Sequence, residues 1–160
     1  MTDTLKSICD QCTHLRNPQL DFIPAGLEHC REIILRDLRE LVAAATGENE
    51  KSVVILAGSI VEGILYAFVK GQADYIAGRR GRFEFRPKDN LEDHLNTFNR
   101  WLNDLMPAVI FPDSVVSYRN LVHMNRELES PPGICSAAAR EMLRILNTFL
   151  KALSEFGGPA

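Results

Sequence analysis

The sequence predicts an all-α protein, a single-domain bundle of five or six helices. Three observations lead there. Apolar residues recur at three- and four-residue spacing in one segment after another, which marks one face of a helix. Clusters of Gly, Pro and Asn separate those segments where helices must stop. No pair of alternating runs suggests a sheet, and no repeat of about 20–50 residues is visible.

The first helix is expected over Asp3 to Leu15, where Leu5, Ile8, Cys9, Cys12 and Leu15 share a face. Asn17-Pro18 ends it, because the residue before proline is pushed out of the helical region. Leu20, Phe22 and Ile23 then cross to Pro24 as an extended linker. A second helix runs from Leu27 to Ala45, with Ile34, Leu38, Leu41 and Val42 inward and charges of both signs outward. Gly47 stands where a left-handed C-cap is expected.

Val53 to Val69 is the most apolar stretch, interrupted by Gly58, Ser59, Glu62 and Gly63. Its central glutamate and amphipathic neighbours favour the buried middle helix of a bundle over a membrane span. The two glycines suit close approach by neighbouring helices. A glycine- and arginine-rich loop, Gly78 to Lys88, follows. Asp89 or Asn90, each three residues before an acid, then opens a helix in capping-box style. Leu91, Leu95, Phe98, Leu102 and Leu105 mark its inner face, and Pro107 closes it at Met106.

Pro112 and Asp113 start the next helix, which is expected to run through Val115, Tyr118, Leu121, Val122 and Leu128 to about Glu129. Pro131-Pro132-Gly133 stops it. Ser136 is the expected cap of the last helix, whose stripe is Met142, Ile145, Leu146, Phe149, Leu150 and Leu153. This punctuation divides the chain into an N-terminal helix and linker over residues 1–26, the bundle over 27–156 and a tail over 157–160.

Composition limits the function. A length of 160 residues suits one domain, able to bury roughly 70% of its unfolded surface. Apolar residues at 46% and charged residues at 24% exclude wholesale disorder and a disulfide-stapled scaffold. A net charge of −3 excludes nucleic-acid binding driven by overall charge and leaves room for a local basic patch. The N-terminus reads as neither a secretory nor a transit signal. With four cysteines and no export signal, a cytoplasmic protein with reduced thiols is expected.

Three constellations can carry chemistry. Arg119 and His123 stand four apart on the expected helix, so both project from one face, with Asn120 or Asn125 nearby and Arg126 beyond. An arginine there stabilises charge on a phosphorane, and a histidine moves a proton to or from a ribose hydroxyl or leaving oxygen. Glu62, in the middle of an apolar helix, needs a partner, and Arg119 is the candidate. Arg79, Arg80, Arg82, Arg86 and Lys88, interleaved with Phe83 and Phe85, suit a phosphate backbone and stacked bases.

A fourth pattern, Cys9-x-x-Cys12 with His14, His29 and Cys30 downstream, resembles zinc spacing. Both cysteines also fall on the apolar stripe of the first helix, where a thiol behaves as a small hydrophobe. No metal and no cofactor are expected.

Tyr118-Arg-Asn-Leu-Val-His123, late in an all-helical domain and followed by a final amphipathic helix, resembles the HEPN superfamily signature. The apolar helix carrying Glu62 sits where that fold has its central helix. The resemblance covers roughly Leu27 to Phe156. It implies a small bundle, often a homodimer that brings two motifs together. In active members the arginine and histidine serve a metal-independent endoribonuclease of toxin–antitoxin or defence systems; other members bind nucleotides or partners. Carried over residue by residue, it makes Arg119, Asn120 and His123 candidate catalytic residues, with Glu62 and Arg126 in support. Three residues separate Arg119 from His123 here, a shorter gap than catalytic members usually have, and Met124 follows the histidine where many looser relatives have proline. The implied partners are RNA, a second copy and a cognate antitoxin; the other reading is a non-catalytic helical interaction module.

Overall fold

The computed structural model describes residues 3–123 and 127–157. Among these the protein is all helical, with no strand. Eight α-helices appear where five or six were expected. The N-terminal helix divides at Cys12 into α1 (Leu5–Gln11) and α2 (Thr13–Arg16), and a short additional helix forms ahead of the basic loop. Thr4 caps α1 through its hydroxyl, which accepts the Ser7 amide at 3.0 Å.

Helices α3 (Glu28–Thr46) and α4 (Glu50–Gly71) form an antiparallel pair joined by a tight turn. Gly47 does not take the left-handed conformation there; its φ is −83°. Glu48 takes it instead, with φ 54°. The Glu48 carboxylate explains the choice, since it accepts the backbone N–H groups of Leu5 at 2.9 Å and Lys6 at 3.0 Å. Those are unsatisfied donors at the start of α1, so the strained turn ties the N-terminal helix to the bundle. Residues expected to precede the bundle are built into it, with Leu5, Ile8, Cys9, Leu15 and Leu20 all in the common core.

Helix α4 lies at the centre and packs against α3 and against the long last helix, α8 (Ile134–Glu155). By length and composition α4 could cross a membrane, yet most of it is buried inside the bundle. Its glycines act as expected. A Cβ on Gly63 would stand 3.4 Å from Ile34 of α3. Helix α8 begins after Gly133, whose φ is +80°. Ser136 lies inside α8, where its hydroxyl accepts from Arg140 instead of capping the helix.

The remaining elements cover α4. Helix α5 (Ala73–Arg80) extends into the segment expected to be loop and ends on left-handed Gly81. Helix α6 (Leu91–Thr97) starts with the expected capping box between Asn90 and Asp93. It then widens into a π turn over Phe98–Leu102 and tightens into a 3-10 turn over Asn103–Leu105. The change of pitch accompanies an aromatic seam: Phe98 contacts Phe68 at 6.1 Å, Phe111 at 5.4 Å and Phe149 at 5.8 Å. Helix α7 (Ser114–Arg119) completes the set.

Candidate functional site

Helix α7 does not run on to Glu129 as its sequence predicts. It gives way to a 3-10 turn over Asn120–Val122, and His123 leaves the turn in extended conformation with ψ 121°. The reason is local packing. On an α pitch Leu121 would point about 240° round from Val115. The tighter turn swings it further toward the core. Both side chains are buried. Arg119 and His123 therefore do not share a regular helical face.

They nevertheless meet. Arg119, Asn120 and His123 line one cleft of about 310 Å³ together with Glu62 from α4 and Asn90, Leu91 and Glu92 from the start of α6. Arg119 Nε lies 3.5 Å from Glu62 Oε2, and both side chains are about one-third exposed, 37% and 33%. The Glu62 contact leaves the Arg119 guanidinium without a hydrogen bond to any described residue. A phosphate oxygen entering the cleft finds that charge accessible. His123 is exposed at the same cleft. Arg126, expected to add a second charge, and Asn125 lie outside the described residues, as do Met124 and residues 158–160.

Close packing fixes the arginine. A Cβ built on Gly58 of α4 would come within 2.8 Å of Arg119 Cγ, 3.2 Å of its Cβ and 3.4 Å of its Cα. Only a residue without a side chain lets α7 rest there. On the other side of the cleft's helix, Tyr118 donates a hydrogen bond to Glu141 of α8 at 2.6 Å, which raises the phenol's pKa and anchors α7 to the bundle.

The basic loop is only partly free. Arg79 donates to Asp104 at 2.6 Å, to the Trp101 carbonyl at 3.2 Å and to Tyr75 at 3.3 Å. Arg86 stands 3.4 Å from Asp89. Arg80, Arg82 and Lys88 are exposed, with no ion pair to a described residue. Phe83 and Phe85 are half-buried against the core, so they do not stand free as stacking platforms. The loop leads directly into the first turn of α6, and hence to the cleft.

The cysteine pattern resolves into packing. Cys9 and Cys12 are buried in the core, and burial pushes the Cys12 thiol up to about 11. His29 is exposed and 3.7 Å from Glu32. Among the described residues no three His, Cys, Asp or Glu side chains converge as metal ligands would.

Sequence reasoning missed Asn90 and Glu92 as cleft residues. The capping box placed both at a helix start, but nothing in the sequence says which cleft that start borders. It also missed His94, a fully buried imidazole on α6. No family model matches this chain, and comparison with curated proteins and with solved structures finds no match.

Proposed function

We propose that the cleft between α4, α6 and α7 binds RNA and cleaves it without a metal, in the manner of a HEPN-like endoribonuclease. One observation carries the reading. Arg119, Asn120 and His123 converge with Glu62 in a single cleft although the helix that was to align them is broken. In this scheme His123 takes the proton of a ribose 2′-hydroxyl as that oxygen attacks phosphorus. The 5′-oxygen departs and receives the proton back from the imidazolium, leaving a cyclic phosphate. Arg119 stabilises the charge on the non-bridging oxygens, Glu62 holds its side chain and Asn120 orients the phosphate. Arg80, Arg82 and Lys88 hold the flanking backbone. A toxin or defence role, and a homodimer that pairs two clefts, belong to the same reading.

End-labelled RNA incubated with protein in chelator tests it, alongside His123→Ala and Arg119→Ala. The expected result is cleavage by the parent and by neither variant, with all three equally folded by circular dichroism. Cleavage that survives both substitutions overturns the assignment.

A second reading, a helical interaction module, is favoured by Ile110 and Leu128, both 78% exposed on either side of α7. It predicts self-association that Ile110→Asp and Leu128→Asp abolish, measured by sedimentation, with no RNA cleavage at any protein concentration.

A further inference from the structure

Glu62 also lines a second and larger cavity, about 470 Å³, between α3, α4 and the loop that enters α6. Most of its wall is apolar, with Ile33, Ile34, Ile60 and Gly63 contributing. Two features set it apart from a packing defect.

The first is His94, which forms part of the wall. It is 1% exposed, and neither ring nitrogen has a hydrogen-bond partner of good geometry. The charges of Asp89, Glu62 and Asp93 act on the ring, and the Asp89 backbone adds a weak hydrogen-bonding influence. Buried polar atoms are nearly always paired, so two unpaired nitrogens in one ring call for a reason. Burial lowers the ring's pKa and keeps it neutral, with one donor and one acceptor. The ring lies parallel to Phe85 at 5.9 Å and edge-on to Tyr66 at 6.0 Å.

The second is a set of three carboxylates that line the same cavity from three different elements: Asp37, Glu62 and Asp89. Each contacts an arginine through one oxygen, to Arg36 at 2.6 Å, Arg119 at 3.5 Å and Arg86 at 3.4 Å. The second oxygen of each accepts no hydrogen bond from a described residue. The cavity therefore offers acceptors, a neutral imidazole and the ring of Tyr66. It suits a planar molecule that carries adjacent N–H donors and also ring acceptors.

We propose that this cavity is a binding site for a guanine base. Guanine's pairing edge carries two neighbouring N–H donors that match one carboxylate, and its other edge accepts from an imidazole N–H. Uracil has a single N–H and leaves the other acceptors unsatisfied. Because Glu62 borders both spaces, the bound base sits next to the Arg119 cleft. That it belongs to an RNA held there rests on the function proposed above; binding of a free nucleoside does not.

The test is titration of the whole protein with guanosine and with uridine by calorimetry, neither ligand carrying a phosphate for Arg119. His94→Phe preserves the aromatic contacts and removes the nitrogens. Ile33→Trp fills the mouth from a position 36% exposed. The expected result is guanosine binding about tenfold tighter than uridine, reduced about tenfold by each variant with an unchanged circular dichroism spectrum. Equal binding of the two nucleosides, no binding of either, or guanosine binding unaffected by both variants overturns the proposal. Cleavage of RNA in chelator separates the two ideas. Guanosine binding without cleavage sinks the ribonuclease alone, and cleavage without guanosine binding sinks the base site alone.

Discussion

Helices α4 and α8 and the stretch from Phe98 to His123 obey different rules. The two long helices run 22 residues each at one pitch, and α8 keeps its stripe from Ala138 to Leu153. The other stretch changes pitch repeatedly, from π turn to 3-10 turn, then through a loop to α7 and a second 3-10 turn. A long helix with a partner along its whole length satisfies burial by periodicity alone. A short segment that must cover α4 adjusts its backbone to the side chains beneath it. Arg119 and His123 stand on the adjustable part, and Glu62 on the regular part.

The largest expected effect breaks the seam that joins the two regions. Phe149 of α8 is fully buried and meets Phe98 and Phe111, the latter at 4.9 Å. Phe149→Ala should cost about 3–5 kcal/mol in urea unfolding. A loss below about 1 kcal/mol would show that the aromatic seam does not hold the irregular stretch to the bundle.

Gly58→Ala sharpens the contrast, because it inserts a methyl group under Arg119. Overpacking of about 1–3 kcal/mol exceeds the helix-propensity gain of about 1 kcal/mol. The expected outcome is modest destabilisation with loss of RNA cleavage. Gly63→Ala is the control: its Cβ meets Ile34 at contact distance, so stability and cleavage should both hold.

His94→Phe should raise stability by about 1 kcal/mol at neutral pH, since it removes buried nitrogens that lack partners. Burial depresses the folded-state pKa of His94, so the unfolded chain takes up a proton first as pH falls. Stability is independent of this group above the ordinary histidine value of about 6.5 and falls as pH drops toward the folded-state pKa. Urea midpoints at about pH 8 and about pH 5 should therefore differ more for the parent than for the variant. Equal differences would place the acid sensitivity elsewhere.

Glu62→Gln is the smallest perturbation of the fold. The pair with Arg119 is one-third exposed, so stability should change by about 0–1 kcal/mol. Cleavage should slow while RNA binding persists, because the arginine keeps its charge and loses its brace. Unchanged cleavage would mean that Gly58 alone positions Arg119.

Much of the fold was legible. The expected span Leu27 to Ala45 became Glu28–Thr46, and Val53 to Val69 became Glu50–Gly71. The capping box at Asn90 formed as its spacing predicts. Gly47 misled because a distant partner decided the turn: two amides of α1 hold the Glu48 carboxylate, and no local rule contains them. Pairing of Arg119 with Glu62 was readable from the cost of a carboxylate in an apolar helix. Asn90 and Glu92 beside that pair were not, and neither was the half-burial of Phe83 and Phe85.

The sequence by itself determined that this chain is helical, where its long helices lie and which stripes face inward. Those follow from periodicity and punctuation, which act over a few residues. Tertiary structure alone decided where α6 and α7 change pitch, that Asn90 and Glu92 border the Arg119–Glu62 pair and that His94 is buried. Hydrophobic burial is non-directional, so a pattern can demand an interior without naming its contacts. Close packing names them, because side chains brought together from distant elements must fit at atomic contact, and the backbone bends until they do.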